Sequence, residues 1–189
     1  MHDTHHARHV LDLAAVRNNT GCALPGFDSP GGFDGFGRAY PAEDLRRLGD
    51  LVGGWPEGFG RGAHDNVECD GQYIGFTRPV LLSSLVLLGA ACGGRTADEL
   101  SLFDADTTSE TEVGFGFPDF LSRTDHDCDV PAVTCSTLRD HGRDIDAPPP
   151  SIWRTEIRLA HPVTCSGLRL PINPGLHMFG IRALAENRV

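Results

Sequence analysis

Two tryptophans, Trp55 and Trp153, and two tyrosines, Tyr40 and Tyr73, are the main aromatic groups with a polar handle in this chain. Flat rings of this kind stack on the C–H face of a sugar, and planar polar side chains meet its hydroxyls. Trp55 lies in a glycine-rich stretch shortly before Asp65 and Asn66, which makes it the better platform. Trp153 stands at the start of an apolar segment, where packing into the core is the favoured role. Asp119 in Gly116-Phe117-Pro118-Asp119 either accepts a ligand hydroxyl or caps a loop. Asp65-Asn66 has the same two readings, since Asx side chains bond their own turns. The ligand-binding candidates are therefore Trp55, Asp65, Asn66, Tyr73, Asp119 and Trp153.

Catalysis is the rival class. A carboxylate and a histidine in a pocket at the sandwich mouth would serve as general acid and base, as in a small cyclase or lyase of specialised metabolism. Asp119, His64, His161 and His177 are the candidates for it. The sequence holds no nucleophile elbow and no cofactor fingerprint. His177 falls in an apolar run, where a satisfied core histidine is the expected role. Asp125, His126, Asp127, Cys128 and Asp129, with Cys135, crowd one segment but fit neither a closed zinc motif nor an EF-hand loop. Asp28 and Asp34 are the candidates for a structural calcium, and no other cofactor is expected.

The remaining classes are narrowed by composition. Lysine is absent, the 16 basic residues are all arginine and scattered, and the formal net charge is −10. Nucleic acid and anionic membrane surfaces are poor partners for such a chain. The longest apolar stretch, 80–92, is interrupted by Ser83 and Ser84 and is too short to span a bilayer, which takes about 20 residues. No secretory signal is visible in the His-rich start, read as a flexible tail over 1–8, so a soluble cytoplasmic protein is expected. The six cysteines, Cys22, Cys69, Cys92, Cys128, Cys135 and Cys165, show no CxxC spacing. Free thiols are the expectation, with Cys128–Cys135 the pair to watch if the chain is exported.

The pattern along the chain predicts strands. With 23 glycines and 13 prolines, short strands and tight turns suit the composition better than helices. Residues 85–91, 99–103, 111–116, 153–160, 165–170 and 177–184 read as strands, the first buried and central, its small end allowing close approach of a second layer. Val113, Phe115 and Phe117 alternate, so they share a face. Asp70-Gly71 reads as a hairpin turn, His161-Pro162 as a turn, and 122–150 as a long loop or insertion. One helix is predicted over 42–52, with Pro41 at its start, Leu45, Leu48 and Leu51 or Val52 on one stripe, and Gly53-Gly54 at its end. The glycine-rich segment 26–37 reads as a surface loop anchored by Phe27, Phe33 and Phe36. The expected fold class is all-β, an antiparallel two-sheet, jelly-roll-like sandwich with one short helix, in a single domain over 9–189.

Several motifs in order carry a family resemblance. They are Asn18-Asn19-Thr20-Gly21, Phe33-Asp34-Gly35-Phe36-Gly37-Arg38-Ala39-Tyr40, Asp65-Asn66-Val67, Leu87-Leu88-Gly89-Ala90-Ala91, Gly116-Phe117-Pro118-Asp119, and the run from Leu170 through Pro174-Gly175-Leu176-His177-Met178-Phe179-Gly180 to Ile181. In these the chain resembles the carbohydrate-binding-like β-sandwich accessory domain at the C-terminal end of bacterial glycoside hydrolases. Where the family turns with a short Asp-Gly loop, this chain has Asp104-Ala105-Asp106-Thr107-Thr108-Ser109. The resemblance implies a sandwich and a non-catalytic role binding a saccharide or another small polar ligand. A small intracellular enzyme, or an interaction module for a separately encoded enzyme, are the alternatives.

Overall fold

The computed structural model describes residues 6–107, 109–123 and 130–186. The expected all-β sandwich is what these residues form. The strands are β1 (His6–Val10), β2 (Cys22–Ala23), β3 (Arg38–Pro41), β4 (Val67–Asp70), β5 (Tyr73–Ala91), β6 (Thr96–Asp104), β7 (Glu110–Phe117), β8 (Val130–Thr134), β9 (Leu138–Asp140), β10 (Arg143–Ile145), β11 (Ser151–Arg169) and β12 (Ile172–Glu186). An eight-stranded sheet runs β1-β12-β5-β11-β6-β7, with β4 on β12 and β8 on β11; a four-stranded sheet runs β10-β9-β3-β2. Pairing is antiparallel except between β2 and β3. β1 begins at His6, inside the segment expected to be a tail. Among the described residues no helix is long and apolar enough to cross a membrane.

The frame is the ribbon of β5 and β11, each of 19 residues. Its β5 half from Leu82 to Ala91 is flanked by β12 as well as β11, whereas from Tyr73 to Val80 it pairs β11 alone. Between Arg158 and Val163 of β11 the partner strand advances only from Ser84 to Leu82, so extra residues bulge outward there. His161-Pro162, read as a turn between two strands, sits in this bulge within one continuous strand. Proline donates no ladder hydrogen bond and is tolerated at such a place.

Two further expectations are corrected by long-range pairing. Asp70-Gly71 does not close a hairpin, because β4 pairs with β12 rather than with β5. Gly71 has φ 74° but Asp70 is not left-handed, so the type I′ geometry is absent, and the Gly71 N–H donates to Pro171 O at 3.0 Å. The supposed loop 122–150 contributes β8 to the large sheet, and its β9 and β10 build half of the small one.

The predicted helix starts where expected but tightens. One α turn, α1 (Ala42–Leu45), passes into a 3₁₀ turn, Arg46–Leu51. Leu45, Leu48 and Leu51 are spaced by three, and side chains at i and i+3 eclipse in a 3₁₀ turn, so the stripe stays aligned. Leu45 and Leu48 are buried by it. In the glycine-rich segment only Phe33 is an anchor; Phe27 and Phe36 are exposed. Phe33 stands edge-on to Tyr40 at 5.0 Å and packs on Phe120 at 4.9 Å, while Tyr40 meets Phe179 at 5.3 Å. This aromatic cluster joins the small sheet to the large one, and the Tyr40 hydroxyl donates to Ser151 O at 2.9 Å. Arg139 of β9 is buried; it donates to both Glu43 oxygens, at 2.7 and 3.0 Å, to Asp144 at 2.9 Å, and to Ala23 O.

The close approach expected at the end of β5 is centred on Gly89. A Cβ there would lie 2.4 Å from both the Phe117 ring and His177 O, too near for either to be retained. Gly89→Ala is expected to destabilise the fold by about 1–3 kcal/mol, the usual range for overpacking a tight core. Urea unfolding measures this. An unchanged midpoint would mean that β7 does not lie against β5 as described.

Candidate functional site

Four polar side chains from separate parts of the chain form one line, buried at three members and half-buried at the fourth, Cys92. Asp65 and Asn66 precede β4, Cys92 follows β5, and His177 lies on β12. Asp65 accepts the Gly21 and Cys22 N–H groups, one on each oxygen, both at 3.0 Å. Asn66 Nδ2 donates to Asp65 Oδ1 and to Asn19 Oδ1, both at 2.9 Å. With its amide nitrogen so engaged, Asn66 presents Oδ1 to His177 Nδ1 at 3.0 Å, which fixes the imidazole proton on Nδ1. His177 Nε2 is then the acceptor facing Cys92 Sγ, at 3.8 Å. Phe33 covers the imidazole, with ring centroids 4.2 Å apart.

The order thiol, imidazole, amide is that of a nucleophile, a base and its orienting group. The electrostatics oppose such use. Burial, with Asp34, Asp119 and Glu68 nearby, raises the Cys92 thiol above its ordinary value. Burial lowers His177 to about 4, which makes it a weak base. A reactive cysteine needs cationic surroundings that favour the thiolate, whereas the charged groups that act most on Cys92 are carboxylates. The line acts as a structural lock. It holds His177 in the satisfied core role expected from the sequence, and it closes Asp65 and Asn66, both fully buried, to direct ligand contact.

What the lock positions is an open cleft beside it. Asn19 forms an isolated antiparallel bridge with Asn66, and the Asn18 and Asn19 N–H groups both donate to Asn66 O. Arg17 lies just before this bridge and His64 just before Asp65. Both side chains line a cleft of about 470 Å³ together with Asp12, Gly54 and Trp55. Trp55 is half-buried; it donates from Nε1 to Leu45 O at 3.2 Å and stacks on Phe59 with centroids 4.2 Å apart and planes 12° from parallel. A second depression, of about 330 Å³, shares Trp55 with Arg46 and Arg61. Arg17 is held by Nη2 on Gly54 O at 2.7 Å, and its buried Nε has no partner among the described residues. Asp12 and Arg17 escaped the sequence reading, because nothing local marks them; Arg17 lies just before the Asn19–Asn66 bridge, and Asp12 follows Leu11, whose N–H donates to Ile181 O.

The other candidates are dispersed. Trp153 is buried, with Nε1 donating to Asp119 O at 3.2 Å, the core role favoured for it. Asp119 caps turns, accepting from Gly94 N and Leu121 N, both at 2.8 Å. Tyr73 is half-exposed and meets Phe103 edge-on at 5.4 Å, away from the residues that line the Trp55 cleft. No hydrogen bond or ion pair joins Asp119 to His64, His161 or His177 among the described residues. Asp34 is engaged by Arg38, and Asp28 by His141 at 3.3 Å, so these carboxylates face separate protein partners. The cluster at 125–129 lies outside the described residues, as does Cys128; the other five cysteines are unpaired.

The lock carries a pH signature. Burial raises Asp65 from 3.8 to about 6, against the hydrogen bonds it accepts, so its contribution to stability is present at low pH and lost as pH rises towards 6. His177 is lowered from 6.5 to about 4, so its contribution is present above 6.5 and lost as pH falls towards 4. The two slopes oppose one another over the same window, each worth about 2–3 kcal/mol. Relative to wild type, Asp65→Asn is expected to make the urea midpoint climb more steeply from pH 4 to 6. His177→Gln is expected to make it fall over that range. Parallel curves for all three proteins would contradict the assignment. In comparisons with protein-family models and with curated proteins, no match to this chain is found.

Proposed function

We propose that the chain is a non-catalytic carbohydrate-binding protein whose ligand docks in the Trp55 cleft. The observation that carries this is the fixed indole itself, half-exposed, stacked on Phe59, tethered at Leu45 O and facing polar groups of both kinds. An immobilised ring loses little entropy when a sugar stacks on it. Asp12 supplies acceptors, Arg17 and His64 supply donors, and such groups across one cleft meet neighbouring hydroxyls of a saccharide. In this reading Asp65 and Asn66 position the cleft, and Trp153 belongs to the core.

A glycan array followed by calorimetric titration tests the proposal, with Trp55→Ala as control. Loss of the stacking ring is expected to weaken binding at least tenfold, about the effect of one or more kcal/mol. The circular dichroism spectrum should stay that of the folded protein. Absence of binding to any glycan, or a folded Trp55→Ala variant that binds as wild type does, would overturn it.

A further inference from the structure

Two further depressions follow the Trp55 cleft along the surface, each sharing a wall with the one before. Asp12 also lines a narrower depression of about 180 Å³, whose walls include His9, Phe76 and Arg78. His9, Arg78 and Val80 in turn line a third, of about 440 Å³, that reaches Ala185. Taken together as a groove, neighbouring depressions share walls, Asp12 between the first two and His9, Arg78 and Val80 between the second and third. They run from the 3₁₀ turn, past the end of β1, to the first half of β5, where β12 no longer flanks that strand. The aromatic faces are spaced along this path, Trp55 in the first depression and a half-buried Phe76 in the second.

The charge along the path runs against that of the whole chain. The protein carries −10 overall, yet the ionised side chains along the three depressions are Arg17 and Arg78 against Asp12 alone, with His9 and His64 as further nitrogen donors. Arg78 is exposed and forms no ion pair with a described residue, whereas Arg17 already lies in the fields of Asp65 and Asp12. Asp12 is itself engaged, accepting the Ala14 N–H at 2.8 Å. A guanidinium without a carboxylate of its own is suited to bind one from a ligand, in bidentate fashion.

We infer that the groove takes an acidic oligosaccharide, one sugar ring on Trp55 and further uronate-type residues passing Phe76 to reach Arg78. This rests on the carbohydrate-binding reading and extends it from one sugar to a chain and from neutral to carboxylate-bearing units. A polynucleotide is the less suitable polyanion, because the remaining surface of an acidic protein repels a densely charged backbone that extends beyond the groove.

Oligogalacturonates from one unit to about six, their methyl-esterified counterparts and a single-stranded oligonucleotide are the probes. They are titrated calorimetrically into wild type, Arg78→Gln and Trp55→Ala. The acidic hexamer is expected to bind at least about tenfold more tightly than the monomer, and to weaken by about as much when esterified. Its affinity should fall with added salt. Arg78→Gln, an exposed substitution outside the Trp55 cleft, should remove about tenfold from the hexamer and nothing from the shortest ligand that binds. Equal binding of acid and ester, no gain with length, or an inert Arg78→Gln would overturn this inference. Trp55-dependent binding of a short neutral sugar would then still support the carbohydrate-binding reading. If only the oligonucleotide binds, both fall.

Discussion

The buried carboxylate of Asp65 is the constraint on which the rest of the molecule depends. A charge enclosed in protein is expensive unless donors surround it, and here the donors come from the chain more than forty residues away in sequence. Accepting Gly21 and Cys22 fixes the entry into β2, and through Asn66 the same unit reaches His177 on β12. Three segments that share no local periodicity are thereby held in one register. Each member is satisfied by the next, which is the condition under which a polar network rigidifies a core rather than weakening it.

Around that lock the architecture is set by two long strands that change neighbours midway. β5 and β11 keep to each other, while β12 and β8 flank one half of the ribbon and β6 the other. The bulge in β11 absorbs the mismatch. The small sheet needs its own reason to dock, and the Phe33–Tyr40–Phe120–Phe179 cluster with the Arg139 anchor supplies it. Glycine at 89 matters because the Phe117 ring of β7 and His177 O of β12 come within contact of the backbone there. The Trp55 cleft lies at the rim, where the lock ends.

Much of the fold was legible because burial on one face leaves a local trace. The alternation of Val113, Phe115 and Phe117, the apolar run through 85–91 and the leucines of α1 and the 3₁₀ turn after it all declared themselves in this way. What stayed hidden was pairing at a distance. Asp70-Gly71 has the composition of a hairpin turn, but its flanking strands find partners elsewhere. His161-Pro162 has that of a chain reversal, and the neighbouring strand carries straight past it. The site was half legible for the same reason. Trp55 could be singled out by residue type, and His177 was marked as a core histidine by its apolar run. That Asp65 and Asn66 face inward, and that Asp12 and Arg17 join Trp55, follows only from contacts at a distance, the Asn19–Asn66 bridge among them. A sequence shows neither end of that bridge to the other.

The two indoles end up in opposite settings. Trp153 is sealed in the core with its N–H on Asp119 O, while Trp55 stands at the rim of the cleft with its N–H on Leu45 O. Their environments differ in polarity and in access to water, so their fluorescence separates. The sealed ring emits at shorter wavelength and is shielded from a dissolved quencher; the rim ring emits at longer wavelength and is open to it. The protein therefore carries one optical reporter for the integrity of its interior and another for the occupancy of its surface, with no label added.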